Sequence, residues 1–178
     1  YSECYHCAGA HPQLARISEQ ISRDERGQEI GACFNGGPMR LRDGMSAAEN
    51  GDWGGLQQLR DGATDPLVRR MLQWRLATAQ NAPLYFDDLQ QALSELQGWP
   101  GQRTMRERAE QAIADSRLSP GERIAFLQQD GGTVTGDGKM ALASAMRANG
   151  QRSEAIELAR RVWREDGLSS AAQDRALA

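Results

Sequence analysis

The side chains best suited to chemistry crowd the start of the chain. Cys4 and Cys7 bracket Tyr5 and His6, and His11 and Cys33 follow. A Cys-x2-Cys pair places two thiolates suitably for one tetrahedral zinc, with His11 and Cys33 available as further ligands. The second Cys-x2-Cys pair of a strong zinc signature is absent, and Ala8 stands where haem attachment needs a histidine. In an exported chain the same thiols form a disulfide, within the pair or from one of them to Cys33. One of the three cysteines is then left free or bonded to another chain. Cys4, Cys7 and Cys33 are therefore candidates for a disulfide, and no resident metal or cofactor is expected.

The other reactive-looking patterns have simpler readings. Gly131-Gly132-Thr133-Val134-Thr135-Gly136-Asp137-Gly138-Lys139 is glycine-rich like a phosphate loop, but Met140 stands where that motif needs Ser or Thr, and no strand pattern precedes it. It reads as an exposed interhelical loop with Asp137 near the next helix start. Asp87-Asp88 and Glu165-Asp166 are the adjacent carboxylates a glycan-cleaving site would need. They fall at helix ends, where acids near an N-terminus oppose the helix dipole. Arg69-Arg70, Arg106 with Arg108, and Arg160-Arg161 suit anionic peptides, or solvated helix faces with partners such as Glu157 and Arg161. Trp53, Trp74, Trp99 and Trp163 can stack sugars, but their corner and inner-face positions favour packing.

The elements that must position these residues read as helices. The 178-residue chain is rich in Ala, Leu, Gln and Arg, with few β-branched residues and 6% aromatics. Its net charge of −3 lacks the basic excess of nucleic-acid binders. No apolar run approaches the ~18–20 residues that span a bilayer. The chain begins at Tyr1, which fits removal of a leader or a start inside a longer product.

Pro12 to Arg26 reads as a helix with Leu14, Ile17 and Ile21 on one side, and the NGGP run at Asn35–Pro38 breaks helix. Residues 1–37 are expected to be an appendage carrying the Cys-x2-Cys pair, and residues 38–178 the helical domain. From Met39 onward, helices alternate with turns. Asp65 and Pro66 start one helix, Gly98 to Gly101 stop another, and Ser119-Pro120-Gly121-Glu122 has the form of a capping box. Ser153 is expected to cap the next-to-last helix and Ser169 or Ser170 the last. An Ala-rich helix, an Asn-Gly turn and an apolar return helix occur at 45–59 and again at 143–158. Such hairpins stack into an α-solenoid, about three or four of them at roughly 30–45 residues each. The last helix lacks a strongly polar outer face, so the chain is expected to continue or a partner to cover this end.

Two stretches carry a family resemblance. The first runs from Leu72-Gln73-Trp74 through Gly98-Trp99-Pro100-Gly101 to Arg108-Ala109-Glu110-Gln111-Ala112-Ile113. The second is Thr135-Gly136-Asp137-Gly138-Lys139, Asn149-Gly150, Glu154-Ala155 and Val162-Trp163-Arg164. In this order they resemble the superhelical N-terminal region of soluble lytic murein transglycosylases, over roughly Met39 to the end. The resemblance implies an all-α, superhelical fold in the periplasm. It implies a parent enzyme that cleaves between N-acetylmuramic acid and N-acetylglucosamine without water, leaving a 1,6-anhydro product. That family's catalytic Glu sits in a separate lysozyme-like domain within a Glu-Ser dipeptide, which this chain lacks. No catalytic residue is expected here. The expected partners are peptidoglycan glycan strands or, if the chain is a free-standing scaffold, another protein of an envelope or membrane complex.

Overall fold

The computed structural model describes residues 37–177. The proposed appendage, with Cys4, Cys7 and Cys33, the helix at 12–26 and the loose link after it, lies outside the described residues apart from Gly37. Among the described residues all regular structure is helical. It comprises α1 (Gly37–Glu49), α2 (Trp53–Asp61), α3 (Pro66–Thr78), α4 (Phe86–Glu95), α5 (Gln102–Ala112), α6 (Pro120–Gln128), α7 (Gly136–Ala148), α8 (Arg152–Glu165) and α9 (Ser170–Leu177). Short 3-10 turns extend α5 at Ile113–Asp115 and α6 at Gln129–Gly131. No described helix is long and apolar enough to cross a membrane.

Local chemistry accounts for most boundaries. Asp65 Oδ1 accepts from the backbone N–H of Leu67 (2.8 Å) and Val68 (3.3 Å), and Pro66 follows at the first position of α3. Ser119 and Glu122 form the reciprocal capping box of α6. Gly51 and Gly150 take φ of +72° and +90°, the left-handed turn that the two Asn-Gly pairs lead one to expect.

Two local expectations change, and one choice left open is decided. Gln151, not Ser153, is the N-cap of α8, and Ser153 lies inside its first turn. Of the two serines expected as caps for α9, Ser169 takes the position, its hydroxyl accepting from the Ala172 N–H at 3.2 Å. Helix α1 runs through Gly37 and Pro38 instead of starting after them, because proline is tolerated in a first turn whose N–H groups lack helical partners anyway.

Two apolar clusters run along the chain. Helices α1 to α3 bury Ala48, Leu56, Leu72 and Leu76. Helices α4 to α6, with the end of α3, bury Phe86, Leu89, Leu96, Met105, Ile113 and Leu127. Phe86 and Phe126 meet edge to face, with centroids 4.9 Å apart and planes at 82°. Leu67 on α3 is 58% exposed, and the buried stripe of that helix runs through Val68, Leu72 and Leu76. The principal helix packing joins elements one or two places apart in chain order: α1 on α2 and α3, α2 on α3, α3 on α4 and α5, α4 on α5, α5 on α7, and α7 on α6, α8 and α9.

Candidate functional site

The motif residues gather at the joints between helices. The indole N–H of Trp74 on α3 donates to the Pro100 carbonyl at 2.7 Å, pinning the Gly98–Gly101 corner to the preceding hairpin. Arg108 on α5 is buried and, among the described residues, meets no carboxylate. Its guanidinium donates instead to the carbonyls of Leu76 and Ala77 (both 2.8 Å) and of Ala82 (2.5 Å). These include the last carbonyls of α3, where partial negative charge collects, so the helix end stands in for a counter-ion. Burial pulls the Arg108 pKa below its usual value.

Glu110, two residues further along α5, is 1% exposed. Its carboxylate accepts from the backbone N–H of Val134 (2.9 and 3.1 Å) and Thr135 (2.9 Å), the Thr135 hydroxyl (2.6 Å) and Arg106 Nε (3.2 Å). Arg106 also donates to the Phe126 carbonyl at 2.8 Å and lies 4.2 Å above the Phe126 ring. The glycine-rich loop is thus drawn onto α5 by one buried acid.

Each residue from Thr135 to Lys139 has a task in the framework. Thr135 caps α7 by accepting from the Gly138 N–H at 2.9 Å. Asp137 accepts from the Ser169 N–H (2.9 Å) and hydroxyl (2.6 Å), tying α7 to the start of α9. Lys139 Nζ meets Asp166 Oδ1 at 2.6 Å. A Cβ on Gly138 would lie 2.3 Å from Glu110 Oε2, and one on Gly136 2.3 Å from the Gly167 carbonyl. Glycine here serves close approach to protein groups, and the backbone N–H groups of Val134 and Thr135 are already used by Glu110 and that of Gly138 by Thr135.

The carboxylate pairs are structural as well. Asp88 accepts from the Tyr85 N–H at 3.1 Å at the start of α4, and Asp166 holds Lys139. Glu157 pairs with Arg160 at 3.2 Å, a step of three along α8, and not with Arg161 as its spacing suggested. Among the described residues, no group of three His, Cys, Asp or Glu side chains is placed to hold a metal ion. No family model, curated protein or solved structure matches this chain.

One surface is left with unused chemistry. Helices α7, α8 and α9 enclose an open groove of about 580 Å³. Its apolar part includes Met140, Ile156, Ala159, Trp163 and Leu177, and its cationic part is Arg147, Arg160, Arg164 and Arg175. Trp163 is 49% exposed, so it departs from the packing role its inner-face pattern suggested. Trp74 and Trp99 fulfil that role against the central cluster, and Trp53 against the first. Sequence reasoning missed the groove because the apolar residues of α8 form one broad arc, and spacing does not say how much of it is covered. Ala155 and Val162 are buried, while Ile156 and Trp163, each the next residue along and so about 100° round the helix, stand exposed in the groove.

Proposed function

We propose that this chain is a non-catalytic superhelical segment of a periplasmic soluble lytic transglycosylase acting on peptidoglycan, its helical hairpins stacked as an α-solenoid. The observation that carries this reading is the way the resembling motifs meet one another. Trp74 binds the Gly98–Gly101 corner, Arg108 binds the end of α3, and Glu110 binds the Thr135–Lys139 motif. Residues that look like a family signature but perform no catalysis make sense when they fix the stacking of successive hairpins. The short-range order of helix packing supports a row of hairpins over a closed bundle. In this role the segment shapes and orients the channel along which a glycan strand reaches a catalytic domain elsewhere in the protein.

The test is the longer reading frame and its product. A lysozyme-like domain with a Glu-Ser dipeptide, and release of 1,6-anhydro-muropeptides from murein by the full-length protein, are the expected results. A stop codon soon after Ala178, or a full-length protein that releases no anhydro product, overturns the proposal. Residues 1–178 alone release none.

A second reading is favoured by the groove on α7 to α9. A helical scaffold that docks a protein partner in an envelope or membrane complex would expose such an apolar, charged-rimmed surface.

A further inference from the structure

We propose that the groove between α7, α8 and α9 docks an amphipathic helix with acidic flanks, presented by another protein; this deepens the scaffold reading and rests on it. Helix α8 supplies the seam. Ile156, Ala159 and Trp163 recur at steps of three and four, so they form one stripe along the outer side of the helix. Ile156 is 46% exposed and Leu177, across the groove on α9, 76% exposed. The adjoining side of α8 is already used, with Ala155 and Val162 buried. The apolar arc of α8 is wider than its neighbours cover, and a second helix laid along the exposed stripe would cover the rest.

Charge sets the chemistry of the occupant. Among the described residues, four guanidinium groups line the groove and no carboxylate does, in a chain whose net charge is −3. Glu157 is the partner of Arg160, but both side chains are 69% exposed, and Asp115 stands 3.9 Å from Arg175 with its side chain 79% exposed. Such exposed pairs hold weakly and exchange readily for a better-placed acid. Carboxylates on both flanks of an incoming apolar stripe would meet Arg160 and Arg164 on one side and Arg147 and Arg175 on the other. A second copy of this chain offers no matching helix among its described residues. The large apolar side chains exposed outside the groove, Leu67, Tyr85 and Val134, stand singly on different elements.

The test uses the full chain and labelled helical peptides of roughly 20 residues. One peptide carries Leu at heptad spacing with Glu flanks, a second carries Lys in place of Glu, and a third is a scramble of the first. Fluorescence anisotropy should show the Glu peptide binding at least about tenfold more tightly than the other two, a difference of about 1.4 kcal/mol. The margin should shrink as salt rises from about 0.05 to 0.5 M. Arg160→Glu with Arg164→Glu, both exposed and therefore tolerated by the fold, should turn the preference toward the Lys peptide. Trp163→Ala should weaken the Glu peptide by about tenfold or more. Three results overturn the proposal. One is equal binding of the Glu and Lys peptides. Another is no binding by the intact chain, as when its own residues fill the groove. The third is concentration-dependent self-association that Trp163→Ala abolishes, which assigns the groove to a second copy.

Discussion

Glu110→Ala probes the joint between the glycine-rich loop and α5. In the native protein one carboxylate serves the N–H groups of Val134 and Thr135, the Thr135 hydroxyl and Arg106. Alanine leaves these donors without an acceptor. Each buried donor so orphaned costs about 1–3 kcal/mol, and removing one member of a buried ion pair costs about 3–5 kcal/mol. Two features hold the total toward the lower end. Arg106 keeps the Phe126 carbonyl and ring, and the loop is near enough to the surface for water to reach part of it. The expected loss is about 3 kcal/mol, or roughly 6–12 °C in melting temperature for a domain of this size. Urea and thermal unfolding followed by circular dichroism measure it, and hydrogen exchange should show the Val134 and Thr135 amides losing protection first. Glu107→Ala is the control, because the Arg103–Glu107 pair is solvent-facing and should be worth about 0.5 kcal/mol or less. If Glu110→Ala costs under about 1 kcal/mol, or no more than Glu107→Ala, the carboxylate is not holding the loop and the account of the motif fails.

Other substitutions test neighbouring joints. Arg108→Lys keeps the charge but not the fork that reaches the carbonyls of Leu76, Ala77 and Ala82, so it should cost about 1–2 kcal/mol in urea unfolding, and Arg108→Ala about 2–4 kcal/mol. Gly138→Ala drives a methyl into Glu110 and should destabilise by about 1–3 kcal/mol, whereas Gly121→Ala, with open space at its Cβ in the first turn of α6, should be neutral or stabilise by up to about 1 kcal/mol. Hydrogen bonds from the Ser119 hydroxyl and N–H hold the Glu122 pKa below its usual value. With the folded value below the unfolded one, the contribution of Glu122 is present above the unfolded pKa and is lost as pH falls through the folded one. Ser119→Ala should move the Glu122 titration upward, as carbon-13 carboxyl shifts would record, and flatten the acid limb of stability against pH.

Much of the local structure was legible because its causes are local. Asp65-Pro66 and Ser119-Pro120-Gly121-Glu122 place caps and their acceptors within one turn of sequence, so the spacing alone predicts where α3 and α6 begin. The Asn-Gly turns follow from glycine's tolerance of positive φ. The cap of α8 was misplaced because Gln151 and Ser153 lie so close that sequence offers two starts, and the turn after Gly150 selects the earlier one. On α3, Leu67 with Met71 and Val68 with Leu72 form two adjoining apolar stripes, and only contact with α1 and α2 chooses between them.

The sequence by itself determined that the described chain is helical and where most helices start, and it showed that the Thr135–Lys139 run lacks the phosphate-loop spacing. These follow from propensity, capping and residue spacing, which act over a few residues. Only the tertiary structure decided that Arg108 faces helix carbonyls instead of an acid, that Glu110 is the hub of the loop, and that Trp163 looks outward beside four arginines. Those outcomes depend on residues that are remote in sequence arriving side by side. A side chain's partner is set by which helix lies across from it, and no spacing along a single helix encodes that.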